Sequence, residues 1–379
     1  MFTFKNCTYL SDSWELKQGD VSFEADRIVS GIPGKGGEEI DLGRNILIPG
    51  YMDIHIHGAN GIDVMTASVD ELVTLAEFLP TFGVTSFFPT TVADTTENIV
   101  KAIKNVKEAQ AKNKKGAAIA GIHIEGPFVN PKRKGAFDIT KLRNPDIQEY
   151  DQFREAAEGM KIRMTAAPEL PGSLELIHHV TETGGSVTLG HTDATQAQAM
   201  EGLKNGANCF THLFNAMRGL YQREPGAAGA ALLGDSYMEI ICDGMHVHPD
   251  MVKLAFKVKD HEKIAMITDA VLAMGLGDGK YIFCGKKILV QDGLVREEDG
   301  TIAGSTLTME KAVINVMKFT GLDLEHTVKS SSLIPARVTG LDHLTGSITA
   351  GKIADFAVLD EDHHVVQTYC RGKLAYQRG

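Results

Sequence analysis

Between about residues 50 and 270 the chain alternates short apolar runs with stretches of helical spacing, and this alternation limits the fold more than any other feature. The runs are "GYMDIHIHGANGID" (50–63), "TSFFPTT", "AAIAGIHIEG", "KIRMTAAPE", "SVTLGH", "NCFTHLF", "YMEIICDG" and "KIAMITDA". Such runs fit strands covered on both faces of a sheet. Helical spacing lies between most of them, in "SVDELVTLAEFL", "TTENIVKAIKNVKEAQ", "SLELIHHVTETGG", "DATQAQAMEGLKNGA" and "PDMVKLAFKVK", with "TLTMEKAVINVMKFTG" after the last. Buried strands alternating with helices form parallel βα units. Eight strand candidates, with a helix due after each, predict an α/β fold of the (β/α)8 TIM-barrel type; a doubly wound open sheet is the alternative.

The two ends read differently. Residues 1–49 hold short alternating runs with Gly and Pro turns ("VSFEADRIVSGIPGKGGEEIDLG"), and residues 346–379 resume that style with "GSITAGKIADFAVLDEDHHVVQTYC". We expect both to join in one small β-sandwich-like domain, residues 1–50 plus 345–379, beside a barrel domain at 51–344.

The chain has 379 residues, 43% hydrophobic and 23% charged, as ordinary globular proteins do. A net charge of -11 argues against a nucleic-acid or anionic-membrane partner, and an anionic ligand would need a local cluster of positive charge. Five cysteines at 7, 209, 242, 284 and 370 form no pair at metal or redox spacing, which points to a reducing cytoplasm. The opening "MFTFKNCTYLSDSWELKQGD" carries no signal-peptide core, no apolar run approaches membrane-spanning length, and the "NCT" sequon reads as chance.

Barrel enzymes carry their catalytic groups where strands end and βα loops begin. His55 and His57 end the first strand, on the same face because side chains alternate along it. Glu125 ends the third, His191 the fifth and His212 the sixth; His246 follows the seventh, and Asp269 ends the eighth. One polar residue after a strand is a turn former. Metal-competent residues at the same end of six strands go beyond turn chemistry, and in a closed barrel they converge on a metal site.

At these positions the chain resembles the amidohydrolase superfamily, through "HxH" on the first strand and the aspartate on the eighth. More narrowly, "GIHIEGPFVNPKRKGA", "GHTDAT", "THLFNAM", "REPG", "DGMHVHP", "ITDAVLAMG" and "AGSTLTMEKAV" resemble the N-acetylglucosamine-6-phosphate deacetylases, from about residue 44 to 360. The resemblance implies hydrolysis of the N-acetyl group of a sugar phosphate to an amino-sugar phosphate and acetate. The fourth strand ends "TAAPE" with no lysine to bridge two metals, so Glu125 takes that role, as the resemblance also implies. His191 and His212 then complete one metal position, and His55 with His57 the other. Some family members lack the first-strand pair and work with one metal. This chain keeps both, which favours two divalent ions, zinc first, with iron, cobalt or manganese as alternatives.

Asp269, beside the metal, is the expected catalytic carboxylate, accepting a proton from water and passing it to the leaving nitrogen. By resemblance, Asn215, Ala216, Arg223 and His246 hold the sugar phosphate, with His248 a near alternative to His246. The arginine in this family can come from a neighbouring subunit, which implies a homodimer. Phe137 in "KGAFD" departs from the pattern, since relatives often carry His or Gln there. His178, His179, His261, His326, His343, His363 and His364 fall in helices, loops or the small domain, and "KNVKEAQAKNKK" is a solvated helix face. The competing functions are another amidohydrolase acting on a cyclic amide or related N-acyl substrate, and a non-catalytic relative; the retained ligands weigh against the second.

Overall fold

The computed structural model describes residues 1–29 and 37–379; the Gly/Pro turn expected at 30–36 lies outside them. Eight parallel strands form the barrel: Tyr51–Ile56, Val84–Thr91, Ile122–Glu125, Ile162–Ala166, Ser186–Leu189, Cys209–Phe210, Tyr237–Ile241 and Ile264–Ile267. Each pairs with the next in sequence order. The ring closes where the chain leaves the eighth strand: His57 N–H donates to the Ala270 carbonyl at 2.8 Å and Asp269 N–H to the His55 carbonyl at 2.9 Å. The strands are buried throughout, apart from a few partly covered end residues, which is why their sequences read as unbroken apolar runs.

Local chemistry sets the helix starts. Ser68 and Glu71 form a capping box ahead of Val69–Phe78, and Thr195 with Gln198 does the same ahead of Gln196–Lys204. Two helices follow strands for which no helical stretch stood out. Ile147–Ala157, capped by Asp146, turns Tyr150, Phe153 and Ala156 inward. Gly226–Leu233, "GAAGAALL", is buried on nearly every side and so has no polar face to set a period.

An antiparallel flap of four strands follows the eighth barrel strand: Gly279–Phe283, Lys286–Gln291, Leu294–Glu297 and Ile302–Ser305. The backbone is left-handed at Cys284–Gly285 and Asp292–Gly293, between its first three strands, as two-residue hairpin turns of mirror-image type require. Its last strand is keyed to the barrel: Ser305 N–H donates to the Asp269 carbonyl at 2.8 Å, and Val271 N–H to the Ser305 carbonyl at 3.0 Å.

Strands from both chain ends share one further sheet. Phe2–Leu10, Leu16–Glu24, Arg27–Val29, Glu38–Asp41 and Ile46–Pro49 join Phe356–Leu359, Val365–Cys370 and Lys373–Gln377. The splice is Ile46–Pro49 against Phe356–Leu359, antiparallel, with Ile48 opposite Ala357. The sheet has its own core, in which Phe4 meets Phe356 and Tyr369 edge-on at 5.5 and 5.1 Å. No helix among the described residues is long and apolar enough to cross a membrane.

Candidate metal centre and active site

Six polar side chains meet at the C-terminal mouth of the barrel, each less than one-tenth exposed: His55, His57, Glu125, His191, His212 and Asp269. Glu125 is central. Its Oε1 lies 3.4 Å from His55 Nε2, 3.2 Å from His191 Nε2 and 3.1 Å from His212 Nε2, while Oε2 lies 3.1 Å from His57 Nε2. Asp269 Oδ1 sits 3.4 Å from His55 Nε2 and 3.3 Å from His57 Nε2. Burial alone would raise the Glu125 pKa; the imidazoles of His55, His191 and His212 outweigh it and hold the carboxyl well below its usual range.

The backbone aims these groups. His55 and His57 share a face through strand alternation. His191, His212 and Asp269 instead sit at positive φ (46°, 29° and 50°), as does Ala216 at 46°, and this left-handed conformation costs a non-glycine residue roughly 1–3 kcal/mol. Three of six candidate ligands thus turn into the mouth on strained backbone.

The ring nitrogens show what the cluster fits. His57 Nδ1 reaches the Thr90 carbonyl (3.2 Å), His191 Nδ1 the Arg133 carbonyl (2.8 Å), His212 Nδ1 the Asn215 carbonyl (3.1 Å) and His55 Nδ1 the Glu239 carboxylate (3.2 Å). Those partners are acceptors, so each Nδ1 carries a proton, and each Nε2, once it gives up its own proton, presents a lone pair to the centre. His191 Nε2 and His212 Nε2 then face one another at 3.1 Å, and His55 Nε2 is buried with no hydrogen-bond partner. Lone pairs converging in this way on a buried carboxylate fit a cation. Two trios meet the requirement, His55 with His57 and Glu125, and Glu125 with His191 and His212.

Beneath the ligands lies a charged layer that sequence reasoning missed. Fully buried Arg163, on the fourth strand, pairs with fully buried Glu239, on the seventh, whose other oxygen accepts from His55. Asp53 accepts the Thr268 hydroxyl and the His55 N–H, and His123 Nε2 lies 2.8 Å from Thr165 Oγ1. The signal was present as single charged residues inside apolar strands ("KIRMTAA", "YMEIICD").

A cavity of about 700 Å³ opens above the cluster, and Asn215, Ala216 and His246 line it. His246 is buried and its Nδ1 is 2.6 Å from Asp243 Oδ2; burial lowers its pKa, but the carboxylate outweighs this and raises it, favouring the imidazolium. His248 is exposed and caps the helix Pro249–Val258 by accepting from Asp250 N–H. Arg223 does not join the cavity. It lies on an exposed loop, in a separate shallow depression with Arg133, Asp193 and Arg218. Phe137 stacks on the His191 ring at 4.5 Å.

The sequence from residue 46 to 375 matches the amidohydrolase family. The chain belongs to that family. Among curated relatives, this amidohydrolase is 39% identical over 336 residues to N-acetylglucosamine-6-phosphate deacetylase of Bacillus subtilis (strain 168), covering 88% of this chain and 85% of that protein. It is 36% identical over 352 residues to N-acetylgalactosamine-6-phosphate deacetylase of Escherichia coli O157:H7, covering 93% of each. Among solved structures, a mutant N-acetyl-D-glucosamine-6-phosphate deacetylase of Mycobacterium smegmatis, in complex with N-acetyl-D-glucosamine 6-phosphate, aligns with the amidohydrolase over 99% of both chains, with a TM-score of 0.91 and 32% identity.

Proposed function

We propose that this amidohydrolase hydrolyses the N-acetyl group of N-acetylglucosamine 6-phosphate, giving glucosamine 6-phosphate and acetate. The observation that carries the reading is the buried cluster of four Nε2 lone pairs around Glu125, with Asp269 at its edge and a cavity above it. The deacetylase relatives supply the substrate class.

His55, His57 and Glu125 would hold one divalent ion and Glu125, His191 and His212 the other, zinc before iron, cobalt or manganese for such N/O donors. A divalent ion bound there would acidify water and polarise the amide carbonyl. Asp269 Oδ1 lies 3.4 and 3.3 Å from His55 and His57 Nε2, at the edge of the cluster, where the carboxylate can accept the proton of the attacking water and return it to the leaving nitrogen. His246, whose Nδ1 is held by Asp243, and Asn215 bind the sugar phosphate side. Arg223 is exposed beside exposed Leu220 and Tyr221 and outside the cavity, which supports a homodimer in which it serves the neighbouring subunit's phosphate. The chemistry belongs to residues 51–344, with 1–50 and 345–379 as the supporting β domain. The five free cysteines suit a cytoplasmic enzyme.

A second reading differs only at one sugar carbon: the Escherichia coli relative favours the galactosamine epimer. Metal analysis together with acetate release from both epimers of the N-acetyl hexosamine 6-phosphate tests the assignment. Faster acetate release from the galactosamine epimer selects the second reading; metal-loaded protein that releases acetate from neither overturns both.

A further inference from the structure

The cavity above the ligand cluster has two unlike halves. Asn215, Ala216 and His246 come from the sixth and seventh barrel strands and their loops, and give it a polar side. Across the barrel axis the wall is apolar. Val92 and Ala93 follow the second strand, Phe137 lies in the loop after the third, and Phe283 and Ala303 come from the flap; they belong to one contiguous cluster of buried side chains. Phe137 lies on His191, and the Phe283 ring centre is 6.0 Å from that of His57, so the two aromatics stand over both ligand trios.

This bears on the acyl group. In a planar trans amide the sugar carbon on nitrogen and the acyl carbon lie on opposite sides of the C–N bond. With the sugar toward Asn215 and His246, the acyl chain lies against the apolar wall. That wall does not end at the size of a methyl group. It includes the small residues Ala93 and Ala303, with Gly304 beside them, and Asn98, Lys101 and Lys141 also line the cavity. Lys141 is tied to Asp94 at 3.2 Å and Lys286 to Glu297 at 2.8 Å, so these two lining charges are compensated, and the apolar stretch of Phe137, Phe283, Ala93 and Ala303 suits an uncharged aliphatic chain. Gly304 is irreplaceable as a spacer: at φ +70° an added Cβ would sit 2.5 Å from Val271 Cγ1 and 2.9 Å from the Asp269 carbonyl oxygen.

We propose that this enzyme also cleaves N-acyl amino-sugar phosphates whose acyl group is longer than acetyl, propionyl and butyryl among them, with the chain running between Phe137, Phe283, Ala93 and Ala303. The proposal rests on the deacetylase reading above and widens its substrate class. The reaction is the same hydrolysis: the C–N bond breaks, the oxygen of water joins the acyl carbon, and a proton of that water passes to the amine nitrogen. The products are the amino-sugar phosphate and a short-chain carboxylate.

The test is kcat/KM of the metal-loaded enzyme on the N-acetyl, N-propionyl and N-butyryl forms of glucosamine 6-phosphate, read as amine released. A pocket closed around acetyl costs about tenfold or more for one extra methylene; the open chamber keeps both longer substrates within about tenfold of acetyl. Ala303→Leu and the milder Ala93→Val narrow the chamber and should lower the propionyl-to-acetyl ratio by about tenfold. A wild-type propionyl rate more than about tenfold below acetyl overturns the proposal, as does an unchanged ratio in both folded variants. Turnover of none of the three substrates refutes the deacetylase reading itself, and this extension with it.

Discussion

His191, His212 and Asp269 owe their aim to left-handed backbone, and such strain survives only where surrounding structure holds it. Losing either of the first two leaves its trio with two protein donors, so His191→Ala or His212→Ala should remove that ion and nearly all turnover. His55→Ala should empty only the other position, and Glu239→Gln should weaken that same position by about 10–100-fold, because the amide holds the His55 ring less firmly than the carboxylate. Metal content per subunit measures all four; wild-type content in the three histidine variants would show the ligands to be misassigned. Asp269→Asn is expected to retain metal but lose about 10²–10⁴-fold in kcat, since an amide cannot relay a proton. A variant turning over within a few-fold of wild type would mean another group moves it. The candidate ligands could be read from the sequence because each stands where a strand stops. Glu239 and Arg163 could not: each is a lone charge inside an apolar strand, and nothing local reveals that they pair across the barrel.

Among the elements, the eight barrel strands were legible because burial on both faces writes them as apolar runs. The helix Gly226–Leu233 was not, for the opposite reason: apolar on all sides, it shows no period. The flap left a signal of another kind, since "CG" at 284–285 and "DG" at 292–293 mark hairpins, but its short, mixed strands lack the pattern of the barrel. Its last strand touches the backbone of Asp269, so the flap and the proposed catalytic carboxylate are mechanically joined. Gly304→Ala tests that link. Alanine at positive φ is expected to destabilise the fold by more than about 1 kcal/mol, and the clash with the Asp269 carbonyl should lower kcat while metal content holds. Thermal unfolding and turnover at wild-type values would show the flap to be loosely attached.

For the whole molecule, the position of Arg223 outside its own cavity makes the active site a shared one if the arginine binds phosphate. Arg223→Ala should then impair the 6-phosphate substrate far more than the unphosphorylated sugar, because only the former loses a partner. Mixing Arg223→Ala with Asp269→Asn should restore activity above either parent, since one site of each mixed dimer has both groups intact. No gain on subunit exchange would place the arginine in its own subunit's site or outside catalysis. The terminal sheet has a consequence of its own, in time rather than space. Ile46–Pro49 is synthesised before any barrel strand, yet its neighbour Phe356–Leu359 follows about 300 residues later. At roughly 5–20 residues per second, that wait is on the order of fifteen seconds to a minute. Through it the leading strands carry an unpaired edge, the kind of surface on which nascent chains aggregate. The closing contact at Ala270 is synthesised well before Phe356–Leu359, so a ribosome stalled between the two leaves Ile46–Pro49 without the strand that covers its edge.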